Sequence, residues 1–273
     1  MQGEGQYAIY FQCWLPEQTP KALLLLVHGA GEHSGRYRHV AEFFAAQGVG
    51  VAALDHRGHG RSDGIPGHID AFGDYLADLT RFHNDVEERF PDVPIFLLGH
   101  SLGGLIVCHY LLQQQDRFVG CILSGALIQS SLQPGWAQMG FIRLLARLAP
   151  QFGIMQLDAS GVSRDPEEVK KYVEDPLVLH GKASARMVRE FFAGMAALKL
   201  GAAGITVPIL ILHGDADVLT SPDGSRELCQ NISSTDKTLI IYPGLYHEIF
   251  NEPERLDVLE QVLKWCALRL PAG

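Results

Sequence analysis

The sequence predicts an α/β fold, with a mostly parallel central sheet, helices on both faces and a helical cap inserted after a central strand. Two observations predict the sheet. Short apolar runs alternate with amphipathic stretches along most of the 273 residues, and several of these runs are apolar at every position, as in parallel strands that are covered on both faces. A third observation predicts the cap, because residues 129–203 interrupt the alternation with consecutive helical stretches.

The apolar runs and the stretches between them predict the elements of the sheet and its helices. The expected strands are Gln6–Trp14, Ala22–His28, Gly50–Leu54, Ile95–Gly99, Val119–Ser124, Ile209–His213 and Lys237–Tyr242. The expected helices are Tyr37–Gln47, Phe72–Phe90, Leu102–Gln114, Asp223–Asn231 and Glu254–Leu270. Pro222 and Pro253 are expected at the first helical position, where the missing N–H costs no hydrogen bond.

The segment 129–203 predicts three helices with no strand between them, at Trp136–Leu148, Pro166–Val173 and Ala183–Leu200. Asp165 is expected to cap the second helix, and Gly201 to end the third. We therefore expect an α/β core of residues 1–128 and 204–273 and a cap or lid of residues 129–203. The alternative is that these helices pack on the flank of the sheet.

Composition and charge argue against several classes of function. The 22 basic and 31 acidic side chains give a net charge of −9, which argues against nucleic acid as a partner. No apolar run approaches the roughly 18 residues of a membrane span, and the polar N-terminus has no signal-peptide core. Five cysteines without a C-x-x-C pair indicate reduced thiols in a cytoplasmic protein. The 12 histidines show no metal-binding spacing, so no metal site is expected.

The strongest chemical signal is the motif G-x-S-x-G at Gly99–Gly103, which Gly104 follows. A buried strand enters the motif and a helix leaves it, which is the context of a nucleophilic serine on a sharp strand-to-helix turn. Ser101 is therefore the predicted nucleophile. The alternative is a glycine-rich turn that contains an incidental serine.

A serine hydroxyl needs a base, and the base needs a carboxylate that orients it. When the nucleophile lies on such a turn, the acid and then the histidine follow it along the chain. After the strand Ile209–His213 the chain contains one more histidine, His247, which is the predicted base. Asp217 is favoured as the acid over Asp215, which is expected to bond backbone N–H groups in its turn, but the spacing leaves both open.

Two backbone N–H groups are expected to form an oxyanion hole. One belongs to Leu102, directly after the nucleophile, and the other to Ala30 in the glycine-rich loop that follows Ala22–His28. The segment Asp55–Ser62 clusters histidines and an acid, but it precedes the nucleophile and is interpreted as a structural loop. His100 is expected to pack or to bond locally.

These motifs together resemble those of the monoacylglycerol lipase family. The oxyanion-loop segment His28–Tyr37 and the nucleophile elbow Val93–Gly104 are similar to the family's signatures, and the matching segments span nearly the whole chain. Further matching segments are Asp55–Ser62, Glu174–Leu177, Asp236–Leu239 and Tyr242–His247. The family places its acid at the end of a G-x-x-D motif, which here is Asp217.

The resemblance implies an α/β-hydrolase that cleaves a monoacylglycerol to free fatty acid and glycerol through an acyl-enzyme, with neither metal nor organic cofactor. It also implies a helical cap over an apolar acyl tunnel, and a polar pocket for which Glu32, Arg36 and Tyr172 are the candidates. Residues 135–157 and 181–189 match the family only loosely. Lysophospholipids and general carboxylic esters therefore stay open as substrates.

The first cap helix raises the question of how a protein with a charge of −9 meets an insoluble substrate. In Trp136–Leu148 the only charges are Arg143 and Arg147, one turn apart, and apolar residues cover more of the circumference than one core-facing stripe requires. One interpretation is transient contact with a membrane or lipid interface, and the other is complete burial. The expected partner is a small lipid ester in the cytoplasm, without an obligate protein partner.

Overall fold

The computed structural model describes residues 1–3, 7–156 and 158–270, and nine strands lie in this part of the chain. In chain order they are β1 (Phe11–Trp14), β2 (Ala22–Val27), β3 (Val49–Leu54), β4 (Ile95–His100), β5 (Gly120–Ser124), β6 (Gly153–Met155), β7 (Ala183–Ser184), β8 (Ile209–Gly214) and β9 (Lys237–Tyr242). Seven of them form one sheet in the order β1-β3-β2-β4-β5-β8-β9. β1 is antiparallel to β3, and all other neighbours are parallel.

Helices cover both faces of this sheet. In chain order they are α1 (Arg38–Ala46), α2 (Phe72–Arg89), α3 (Leu102–Gln114), α4 (Trp136–Leu148), α5 (Pro166–Glu174), α6 (Ala185–Gly201), α7 (Pro222–Asn231) and α8 (Arg255–Ala267). Side chains alternate across the sheet, so Leu23 and Leu25 of β2 join the core on the side of α2, α3 and α6. Leu24 and Leu26 join the core on the side of α1 and α8. The α/β class and the mostly parallel sheet are as predicted.

The segment 129–203 contains α4, α5 and α6, but the expectation that no strand lies between them was wrong. Gly153–Met155 and Ala183–Ser184 pair as a short antiparallel ladder. Strands of three and two residues are too short to produce a readable alternation. Within the described residues, no helix is both long and apolar enough to cross a bilayer.

Most other predicted boundaries shift by one to three residues, and two differences concern how an element begins. Of the expected first strand, only Phe11–Trp14 pairs as a strand, and Gln6 lies outside the described residues. Pro253 does not begin the last helix, because α8 starts at Arg255 with Glu254 as its N-cap residue. By contrast, α7 begins at Pro222, as predicted.

The parallel strands place the chemically interesting loops together. Ser101 follows β4, Asp217 follows β8 and His247 follows β9. The carboxyl ends of these three strands lie at the same edge of the sheet. This edge is where open α/β sheets bind ligands.

Candidate active site

Ser101 lies at the turn between β4 and α3 in a strained backbone conformation. Its φ is +52° and its ψ is −119°, a region that costs a residue other than glycine roughly 1–3 kcal/mol. The backbone N–H of Ser101 donates to the Ser124 carbonyl at 3.0 Å, and the Leu127 N–H donates to the Ser101 carbonyl at 2.9 Å. These bonds to the chain after β5 hold the turn in place.

Position 103 in this turn requires glycine, because two backbone segments approach each other closely there. A Cβ added to Gly103 would lie 2.0 Å from the carbonyl oxygen of Val27. Helix α3 can therefore begin against the end of β2 only without a side chain at this position. The close approach brings the loop after β2 next to the serine.

Asp217 and His247 form a buried ion pair at the same edge of the sheet. Asp217 Oδ2 lies 2.7 Å from His247 Nδ1, and both side chains are almost fully buried. The backbone N–H groups of Leu219 and Thr220 donate to Asp217 Oδ1 at 2.8 and 3.0 Å. The carboxylate is thus fixed on one side by backbone and directed at the imidazole on the other.

The contact between Asp217 and His247 lowers the pKa of the carboxyl group and raises that of the imidazole. Burial acts to raise the pKa of Asp217, but the charge and hydrogen bond of His247, together with hydrogen bonds from His213 and Thr220, hold it well below its usual range. Burial acts to lower the pKa of His247, but Asp217 outweighs it and raises that pKa. The carboxylate is therefore available to orient the imidazole at neutral pH.

The structure brings Asp217 and not Asp215 to the histidine. Asp215 is exposed, and its Oδ1 accepts a hydrogen bond from the Gly244 N–H at 2.6 Å, which ties the loop after β8 to the loop after β9. No hydrogen bond links the hydroxyl of Ser101 to His247 in this arrangement of described residues, although both line one cavity. Such bonds are often loose before a substrate is bound.

Of the two residues expected in the oxyanion hole, Ala30 lines the same cavity as the serine and Leu102 directly follows the serine. Ala30 is in the loop after β2, and Leu102 is the first residue of α3. Within the described chain, neither backbone N–H donates a hydrogen bond. The neighbouring Gly29 N–H is bound at 2.7 Å by Glu32 Oε1, which fixes the course of the loop. Both free donors are therefore available to an oxygen near Ser101.

A cavity of about 410 Å³ opens onto these groups. Its wall is mainly apolar and includes Leu127, Leu132, Met155, Val162, Val188, Phe191, Phe192, Met195, Val218 and Leu219. Polar residues of the wall include Glu32, Tyr172, His247 and Glu248. The arrangement suits a ligand with a long apolar part and one polar end.

The three residues predicted for a polar pocket lie together in the structure. Arg36 bonds Glu32 Oε2 at 2.9 Å, and its guanidinium lies 4.6 Å from the ring centre of Tyr172. Glu32 and Tyr172 line the cavity, whereas Arg36 lies behind them. Glu32 also accepts the Tyr37 hydroxyl at 2.7 Å, so it holds the loop as well as facing the cavity.

Two polar side chains near His247, those of Glu248 and Thr220, were not predicted from the sequence. Glu248, next to His247, makes a bidentate pair with Arg36 at 2.6 and 2.7 Å. Thr220 Oγ1 lies 2.8 Å from Asp217 Oδ2 and 3.3 Å from His247 Nδ1. The available signal for Glu248 was an acidic residue in an otherwise apolar loop beside a singled-out histidine.

The segment Asp55–Ser62 braces the loop after β2. Asp55 Oδ1 accepts the backbone N–H and the hydroxyl of Ser34 at 2.8 and 2.6 Å, and the His56 N–H donates to His28 Nε2 at 2.9 Å.

His100 lines the cavity, and burial lowers its pKa to about 3, so its imidazole is neutral. Among the described residues, no group of three or more His, Cys, Asp or Glu side chains is arranged to hold a metal ion.

The sheet topology, the strained serine and the buried Asp–His pair define a serine hydrolase of the α/β-hydrolase fold. The family model described as "Serine aminopeptidase, S33" matches residues 18–254. The chain is 39% identical over 268 residues to the monoacylglycerol lipase of Mycolicibacterium smegmatis, which covers 98% of this chain and 96% of that protein. It is 34% identical to the monoglyceride lipase of Rattus norvegicus, over 98% of this chain and 89% of that protein.

A solved structure agrees with these relatives. The crystal structure of Paleococcus ferrophilus monoacylglycerol lipase superposes with a TM-score of 0.86 at 32% identity, over 96% of this chain and 99% of that chain. The chain belongs to the monoacylglycerol lipase family.

Proposed function

We propose that this protein hydrolyses monoacylglycerols to a free fatty acid and glycerol. The observation that carries the proposal is the mainly apolar cavity of about 410 Å³, which is lined by Ser101 and His247 and has polar groups at Glu32 and Tyr172. An acyl chain fits the apolar wall, and a small uncharged alcohol fits the polar patch. The relatives named as monoacylglycerol and monoglyceride lipases support the same substrate class.

The proposed reaction uses Ser101, His247 and Asp217 as nucleophile, base and orienting acid. Since His247 Nδ1 donates to Asp217, its Nε2 is left to accept the serine proton as the hydroxyl attacks the ester carbonyl. The oxyanion that forms is stabilised by the N–H groups of Ala30 and Leu102 and by the positive end of α3. His247 then protonates the leaving glycerol, and water releases the acyl group by the same steps in reverse.

We also propose that residues 129–203 form a cap over the cavity. Support comes from the wall itself, because Met155, Tyr172 and Phe191 of this segment line the same cavity as Ser101. The remaining residues, 1–128 and 204–273, then form the catalytic core. Closure by a cap excludes water from the acyl-enzyme until the alcohol has left.

We further propose that α4 makes transient contact with a lipid surface. Its apolar side chains Trp136, Phe141 and Leu148 are 91%, 64% and 73% exposed, and only Ala146 is buried. Arg143 and Arg147 flank this exposed apolar face, as in helices that lie in a membrane interface beside anionic head groups. We propose a cytoplasmic location, in which the five cysteines stay free thiols, with reversible contact at membranes.

The function is tested with the Ser101→Ala variant and a panel of esters that share one acyl chain. Losing the nucleophile in a comparable serine hydrolase costs on the order of 10⁶ in kcat. We expect Ser101→Ala to lose turnover and labelling by a fluorophosphonate probe while its melting temperature stays within a few degrees. The wild-type protein should prefer monoacylglycerol in the panel. Retained labelling of the variant would overturn the assignment of Ser101 as the nucleophile. Preference for another head group would overturn monoacylglycerol as the proposed substrate.

A further inference from the structure

Apart from the histidines, the charged side chains that line the described part of the candidate active-site cavity all have the same sign. Among the described residues of its wall these are Glu32, Asp158 and Glu248, and neither lysine nor arginine contributes to it. Glu32 and Glu248 are buried, at 2% and 6% exposure, close to the histidine, whereas Asp158 is exposed to solvent. The buried end of the cavity is therefore acidic.

The cation behind this wall neutralises only part of the charge. Arg36 bonds both Glu248 and Glu32, so one guanidinium faces two carboxylates. Burial raises the pKa of Glu32, while its three hydrogen bonds, one of them from this guanidinium, act to lower it. With both carboxylates ionised, the network of three side chains carries a net charge of −1 beside His247, and the nearby His100 is neutral.

A buried charge acts on a ligand more strongly than an exposed one. Water screens interactions at the surface, whereas the low polarizability of a closed cavity leaves them several-fold stronger. An alcohol group without charge can donate hydrogen bonds to Glu32 or Glu248. A phosphate at the same place would meet the uncompensated carboxylate, with neither lysine nor arginine on the described cavity wall to receive it.

We propose that Glu248, acting with Glu32, is a specificity-determining residue that excludes anionic ligands from this cavity. The site then accepts esters of uncharged alcohols, rejects esters whose alcohol carries a phosphate, and repels the fatty-acid anion after hydrolysis. The inference rests on the proposed function for its ester chemistry. It also goes beyond that function, because the negative charge of Glu248 and Glu32 then determines the preference for acylglycerols over lysophospholipids.

The first experiment compares 1-lauroylglycerol with 1-lauroylglycerol 3-phosphate, which share one acyl chain and ester. In Glu248→Gln we expect kcat/KM for the phosphate ester, relative to the neutral ester, to rise on the order of tenfold. In Glu248→Asp, which keeps the charge, the ratio should stay near the wild-type value. Asp158→Asn removes a charge at the exposed end of the same cavity and should change the ratio less than about twofold, since solvent screens it. An unchanged ratio in Glu248→Gln, or an equal change in Glu248→Asp, would overturn the proposal.

The second experiment does not depend on acylglycerol turnover. Laurate and dodecanol are compared as inhibitors of the hydrolysis of a short soluble ester. We expect dodecanol to inhibit the wild-type protein more strongly than laurate, and the difference to shrink in Glu248→Gln. Stronger inhibition by laurate in the wild type would overturn the charge proposal even if no variant folds. Failure of the wild type to cleave 1-lauroylglycerol would instead overturn the proposed function and leave the inhibitor comparison valid.

Discussion

At the scale of single residues, the Asp217 carboxylate has one oxygen bound by backbone N–H groups and the other directed at His247. An asparagine has nearly the same shape, but it can leave the imidazole in the wrong tautomer, which in a serine protease costs about 10⁴ in kcat. We expect a loss of that order in kcat/KM for Asp217→Asn on a soluble ester. Asp215→Asn serves as the control, because Asp215 only ties two loops together, and its loss should be much smaller. The reverse ranking would show that Asp215 is the acid.

The raised pKa of His247 predicts the acid side of the pH profile. Burial alone would lower this pKa, but the charge of Asp217 raises it above 6.5, with a smaller contribution from Glu248. A protonated imidazole cannot accept the serine proton, so kcat/KM should fall as the pH drops through this raised pKa. In Asp217→Asn the residual activity should persist to lower pH, because the imidazole is less easily protonated. If the midpoint of the pH profile does not move in this variant, the contact with Asp217 is not the cause of the raised pKa of His247.

The three central residues of the site were predictable from the sequence, and their surroundings were not. Ser101 lies in a local motif, and the order of residues along the chain left His247 as the one histidine after the strand Ile209–His213. Arg36 and Glu248 bond each other across 212 positions. In a sequence, a lone arginine or glutamate is typical of solvated surface, so only the fold reveals that these two are buried together.

At the scale of elements, α4 carries the proposed lipid contact. Phe141 and Leu144 lie on its exposed apolar face, while Leu145 is half-buried and is therefore left unchanged. Since burial of a large apolar side chain yields roughly 1.5–3 kcal/mol, Phe141→Ser with Leu144→Ser should weaken binding to anionic lipid vesicles at least tenfold. Hydrolysis of dispersed long-chain monoacylglycerol should fall with it.

The control for this variant is Leu256→Ser with Leu268→Ser, which removes two exposed leucines outside the cap. Both double variants should keep their activity on a soluble short-chain ester and most of their thermal stability. Equal loss on both substrates by the α4 variant, with a collapse of its melting temperature, would mean that α4 belongs to the core.

The turn between β4 and α3 gives a second test at this scale. Gly103→Ala would place a Cβ 2.0 Å from the Val27 carbonyl oxygen, so we expect the free energy of unfolding to fall by about 3 kcal/mol or more. Gly140→Ala is its matched control, because no atom lies within 4 Å of the added Cβ in α4. This control should gain about 1 kcal/mol from helix propensity. Urea unfolding of both variants measures the difference, and equal effects would contradict the close approach.

Element boundaries were predictable where periodicity and local signals agree. The bounds Trp136–Leu148 match α4, because an apolar and cationic stretch is delimited by Gly135 and Pro150. The pair β6 and β7 was not predictable, since five residues of backbone pairing depend on how residues 129–203 fold back on themselves. Tertiary contacts, rather than local propensity, decide such short strands.

At the scale of the whole molecule, buried histidines tie stability to pH. The pKa values of His28, His56 and His59 are lowered mainly by burial, and those of His39, His83, His100 and His109 are lowered for the same reason. These imidazoles stay neutral in the folded protein, while in the unfolded chain they bind protons below about pH 6.5. The stability that these neutral imidazoles contribute is therefore fully present above that pH. It is lost as the pH falls toward their lowered pKa values in the folded protein. His247, with its raised pKa, acts in the opposite direction but is a single group.

This linkage predicts that the free energy of unfolding drops steeply between about pH 6.5 and 5, before most carboxylates are protonated. Each fully buried imidazole contributes up to about 1.4 kcal/mol per pH unit. His59→Asn should flatten the slope by up to that amount, since the amide nitrogen of asparagine can still donate to the Arg57 carbonyl that His59 Nδ1 contacts at 3.1 Å. Urea unfolding at pH 7.5, 6.5 and 5.5 measures the slope in both proteins. A stability that stays constant over this range would mean that the buried histidines are already protonated in the folded state, or reach water there.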